Sequence, residues 1–171
     1  VTTEQELQGM ARRQREGQKS ETLTLTRAIR FGVIGSLAGT LAMDLVMVVE
    51  SVMIGEPATS YLALIGSVLG GGALLGVAMH LVMGSLLGLI FGVAVYKVGF
   101  LRIDTFWKGV WLGVLAGLVT IPLGCVPFAI ITGVPIPFMV GFSFIPHLVW
   151  GVVLGIVAGC EMRSSTRSAI C

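Results

Sequence analysis

Four long apolar stretches, separated by short breaks and preceded by a polar leader, organise this chain. They fall at about 29–54, 73–96, 105–131 and 142–160, each long enough to cross roughly 30 Å of hydrocarbon at about 1.5 Å per residue. None alternates with period two, and in lipid every backbone polar group must be bonded within its own segment. The stretches are therefore predicted to be transmembrane helices rather than barrel strands. Small residues recur within them every four positions: Gly76, Gly84, Gly88 and Gly92 with His80 in the second, and Gly151, Gly155 and Gly159 with His147 in the fourth. Gly35 and Gly39 in the first stretch and Gly109, Gly113 and Gly117 in the third form shorter ridges. Such ridges let helix backbones approach where lipid supplies no hydrophobic drive, and they predict tight packing with no wide aqueous pore.

The stretches also repeat. His80-Leu-Val-Met-Gly-Ser-Leu-Leu-Gly88 and His147-Leu-Val-Trp-Gly-Val-Val-Leu-Gly155 are nearly the same phrase, and they hold the only two histidines. Arg30-Phe-Gly-Val-Ile-Gly35 aligns in the same way with Lys108-Gly-Val-Trp-Leu-Gly113. Each half thus reads as one helical hairpin. The expected fold is an all-α membrane protein of two tandem, parallel hairpins about a pseudo-twofold along the membrane normal.

Composition agrees, with 55% hydrophobic residues, 12% charged residues and 24 glycines in 171 residues and a mean hydropathy of +0.95. Charge adds orientation. The 11 Lys and Arg residues lie before the first stretch, between Lys97 and Lys108, or after the fourth, so the positive-inside bias places both termini in the cytoplasm of a multi-pass cell-membrane protein. The leader, 1–28, reads as a polar cytoplasmic segment able to form a surface helix over Glu4–Arg15, without a cleavable signal. Residues 161–171 read as a short cytoplasmic tail.

Both outer connections are apolar. Tyr61-Leu-Ala-Leu-Ile-Gly-Ser-Val-Leu69 reads as a short interfacial or re-entrant helix, and Pro135-Ile-Pro-Phe-Met-Val-Gly-Phe as a Pro-braced turn. With the lipid-facing helices, they are the surfaces expected to meet other transmembrane subunits.

Asp44, His80, Cys125 and His147 each lie roughly 21–25 Å along their helices from the basic anchors. Each helix therefore presents one proton carrier or metal ligand to a shared layer in the outer half of the bilayer, where ionisable groups are costly. The residues suit several roles: hydrogen bonds that order the core, a Cu or Zn site, or a haem held axially by the two histidines. Met43, Met47, Met79 and Met83 flank the layer, while Cys160 and Cys171 sit at the cytoplasmic end. The sequence carries no nucleophile–base pair, phosphate loop or nucleic-acid patch.

Gly39-Thr40-Leu-Ala-Met43, His80 with Gly84 and Gly88, Lys108-Gly109 with Pro122, and the phrase His147–Gly155 resemble those of a small prokaryotic four-helix membrane-protein family, a domain of unknown function. The resemblance covers about 29–160 and implies fold and topology, with Asp44 as a departure from the hydroxyl or apolar residue implied there. The leading functional expectation is a non-catalytic accessory subunit of a larger membrane complex, such as a membrane oxidoreductase or copper monooxygenase. Its alternatives are a metal- or haem-binding redox protein using His80, His147 and Asp44, and a small proton-coupled transporter.

Overall fold

The computed structural model describes residue 8 and residues 23–168, with side chains as far as Glu161. Of the polar leader, residues 1–7 and 9–22 lie outside the described residues, as do residues 169–171 of the tail, Cys171 among them. Four helices are long and apolar enough to span a membrane: Leu25–Met53, Ala73–Lys97, Phe106–Thr132 and Ile136–Glu161.

Helix α1 (Leu25–Met53) starts at Thr24, whose hydroxyl accepts the Arg27 amide at 3.3 Å, satisfying one of the orphan N–H groups of the first turn. The short helix α2 (Ser60–Ser67) follows, then α3 (Ala73–Lys97). A single 3₁₀ turn, Gly99–Leu101, leads to α4 (Phe106–Thr120), capped by Thr105 as α1 is by Thr24. A π turn at Ile121–Cys125 joins α4 to α5 (Val126–Thr132), which ends where Gly133 takes a left-handed conformation at φ 72°. The last helix, α6, is Ile136–Ser168.

Two of these elements differ from the sequence reading. The third stretch is not one uniform helix, because Pro122 and Pro127 each lack an amide donor and the chain widens into a π turn around the first of them. The stretch read as a Pro-braced turn is the start of α6. Pro137 falls in the first turn, where no intrahelical donor is needed, and the first backbone bond runs from the Met139 amide to the Pro135 carbonyl at 3.0 Å.

Backbone approach sets the packing. Helices α1 and α3 run antiparallel along Ala28–Gly92, Gly32–Gly88 and Thr40–Gly84, where a Cβ on the glycine would strike the facing helix. Nearly every buried position of α3 is glycine: Gly76, Gly84, Gly88 and Gly92, with Val95. Along α4 and α6 the same happens at Gly109–Gly155, Gly113–Gly151 and Gly117–His147. Helix α1 also packs along α6, with Gly35 against Leu154 and Val157 and Gly39 against Trp150. Thus α1 turns one small-residue face, Gly32, Ser36 and Thr40, to α3 and a second, Gly35 and Gly39, to α6.

Hydroxyls pin this junction. The buried Ser36 hydroxyl donates to the Gly84 carbonyl of α3 and accepts the Trp150 indole N–H of α6 at 3.1 Å, so one side chain ties three helices. At the basic end, Arg27 and Arg30 of α1 reach Glu161 of α6 at 3.7 and 3.5 Å. At the opposite end α2 folds back, placing Leu62 and Ile65 against Met47.

Leucine at Gly113 must displace α6 backbone and is expected to cost at least about 1–3 kcal/mol. Alanine at Gly141, where a Cβ meets nothing within 4 Å, should be neutral. Equilibrium unfolding of both variants in detergent measures the difference.

Candidate functional site

The period-four stripes that bring the backbones together also aim the histidines. His80 occupies the stripe of Gly76, Gly84, Gly88 and Gly92 and so faces α1. There its Nδ1 lies 2.6 Å from Asp44 Oδ1, with the side chains 18% and 10% exposed. The second carboxylate oxygen, Oδ2, is buried with no hydrogen-bond partner among the described residues. A carboxylate oxygen stripped of water in an apolar layer costs several kcal/mol unless a proton, cation or water meets it.

His147 continues the stripe of Gly151, Gly155 and Gly159 and faces the third span. Its Nδ1 lies 2.8 Å from the Ser143 carbonyl, which can only accept, so Nδ1 carries the proton. The free Nε2 lies 4.0 Å from Cys125 Sγ. Cys125 ends the π turn, which holds it on the buried side with Gly117 and Ile121. Ser143, one turn before His147, collects the rest. Its hydroxyl lies 3.2 Å from Tyr61 Oη. The Tyr61 hydroxyl also donates to Met139 Sδ at 2.8 Å.

The four residues singled out from sequence therefore form two pairs, Asp44–His80 and Cys125–His147. Among the described residues, no three His, Cys, Asp or Glu side chains converge to hold a metal ion. Asp44, read as a metal ligand, here accepts from His80, the part a carboxylate plays in orienting an imidazole. Of the flanking methionines, Met43 packs with Trp150 and Leu154, and Met47 with Leu62 and Ile65.

Sequence reasoning missed Ser36, Tyr61, Met139, Ser143 and Trp150 as members of these networks. Only Ser143 had a usable signal, its four-residue spacing before His147. Tyr61 arrives through the fold-back of α2, which no spacing announces.

These features define a polytopic α-helical membrane protein with two polar pairs built into glycine-packed helices. The chain belongs to DUF6789, a family of unknown function, which it matches over residues 26–168. No curated protein and no solved structure matches it.

Replacing His80 by Phe leaves a buried carboxylate unpaired and should destabilise the bundle by about 3–5 kcal/mol. The double variant Asp44→Leu with His80→Phe should recover most of that loss. Unfolding equilibria of the single and double variants in one detergent give the comparison.

Proposed function

We propose that this chain is a non-catalytic subunit of a larger membrane assembly, to which it contributes a proton-exchanging Asp44–His80 pair. One observation carries the reading: the carboxylate is half used, with Oδ1 on His80 and Oδ2 buried without a partner among the described residues. With Nδ1–H donating to Oδ1, a further proton has two places to sit. On His80 Nε2 it makes an ion pair; on Asp44 Oδ2 it makes a neutral acid beside a neutral imidazole. Low dielectric favours the neutral arrangement and water favours the charged one. A proton taken up on one side of the pair can thus be released on the other.

The case for a partner rests on where the pair lies. Only 17% of the apolar window of α3 is buried, against 44% for α1, and His80 keeps part of its ring exposed. An ionisable ring at the rim of a bundle, rather than its centre, is better accommodated when another transmembrane chain or a file of water covers it. The topology belongs to the same reading: two tandem hairpins about a pseudo-twofold, with both termini and the Lys97–Lys108 connection in the cytoplasm under the positive-inside bias. The pair would then stand in the outer half of the bilayer. Antiparallel pairing of α1 with α3 and of α4 with α6 supports the hairpins.

Infrared difference spectroscopy on the protein in lipid tests the proton site. As the pH is lowered, a protonated-carboxyl C=O band is expected that disappears in Asp44→Asn; no such band at any pH would end this reading. Purification from native membranes in mild detergent should recover other transmembrane chains. A lone monomer or homodimer in every preparation would contradict the subunit role.

A further inference from the structure

The structure assigns a second ligand-binding function to the other pair: we propose that Cys125 Sγ, His147 Nε2 and Met139 Sδ bind a single Cu(I) ion. Asp44 and His80 take no part in this site, so the inference does not depend on the proton-exchange reading.

Three observations converge on it. His147 has its Nδ1–H committed to the Ser143 carbonyl at 2.8 Å and offers Nε2, with Cys125 Sγ 4.0 Å away. A backbone or carboxylate acceptor on one ring nitrogen is how metal-binding imidazoles are usually oriented. Met139 is 1% exposed and packs in the same buried cluster as Cys125, with Ile121 and Ala129. Met139 and His147 are two turns apart on α6, with Ser143 between them 3.2 Å from Tyr61 Oη. Lastly, the segment that delivers Cys125 is a π turn, an irregularity that recurs at functional sites.

The donor chemistry selects the ion. One thiolate, one imidazole and one thioether form a soft set suited to Cu(I), whereas Zn(II) is bound by thiolate and imidazole but gains nothing from a thioether. Charge points the same way. When the Cu–S bond forms the thiol proton is released, and a monovalent ion with one thiolate is neutral. A divalent ion with the same ligands would leave a net positive charge in an apolar layer. Access comes from the end of the bundle at which α2 lies, where an open groove of about 220 Å³ is lined by Tyr61, Phe138, Phe142, Ser51 and Glu56. Tyr61 lines the groove and donates to Met139 Sδ, so the groove and this sulfur share one side chain.

The test is an anaerobic titration of the full chain, carrying Cys160→Ser and Cys171→Ser, with Cu(I) against a chromophoric chelator in detergent. One Cu(I) per chain is expected, with mixed sulfur and nitrogen ligation by X-ray absorption. Affinity should fall about tenfold or more in Cys125→Ser and in Met139→Leu, and stay unchanged in Met83→Leu, a methionine on the outer surface of the bundle. Met139→Leu keeps the core volume, and its helicity and elution volume are checked against the parent. Failure to take Cu(I) from the chelator, or parental affinity in either sulfur variant, would overturn the proposal. Zn(II) bound more tightly than Cu(I) would do the same.

Discussion

The contact on which everything else depends is backbone against backbone. In lipid, apolar side chains gain little by leaving one hydrocarbon surface for another, so helix association rests on close packing and interhelical hydrogen bonds. Here the facing residues at Gly32–Gly88 and Gly113–Gly151 have no Cβ to hold the helices apart. That closeness fixes register along α1–α3 and α4–α6. Register in turn decides which polar groups meet, because a side chain in a period-four stripe can point only at the facing helix. His80 and His147 are such residues. A histidine displaced from its stripe would turn toward another helix face or toward lipid.

The two halves use this device differently. Gly35 and Gly113, which align in the sequence, both face α6. For Gly113 that helix is the neighbour within its own half; for Gly35 it belongs to the other half. Helix α1 therefore needs a second small-residue face for α3, and Ser36 on that face binds both neighbours. Asp44 and Pro122 diverge at another aligned place. In the first half a carboxylate pairs with His80; in the second, the proline opens the π turn that ends at Cys125 beside His147. One histidine is thus paired with a carboxylate and the other with a thiol.

Spans and stripes were legible in the sequence because both are periodic and lipid allows few alternatives. Asp44 and the histidines were legible as well, since an ionisable residue in a long apolar run is conspicuous. Their partners were not. Depth along each helix placed Asp44, His80, Cys125 and His147 in one layer, but depth carries no azimuth, and azimuth separates them into pairs. The start of α6 at Ile136 was hidden because a proline in the first turn of a helix and a proline in a turn look alike without the neighbouring hydrogen bonds. Tyr61 was hidden for a different reason: its contacts with Met139 and Ser143 join segments far apart in sequence, through the fold-back of α2.

The central claim is that Asp44 is held by His80 as a pair distinct from His147 and Cys125. Nitrogen-15 NMR of the imidazole rings in lipid addresses it directly, each ring assigned by the loss of its signals in a single histidine variant. The account predicts that Asp44→Asn shifts the His80 Nδ1 resonance strongly and leaves the His147 resonances, set by the Ser143 carbonyl, nearly in place. An unmoved His80 signal, or equal displacement of both rings, would contradict it.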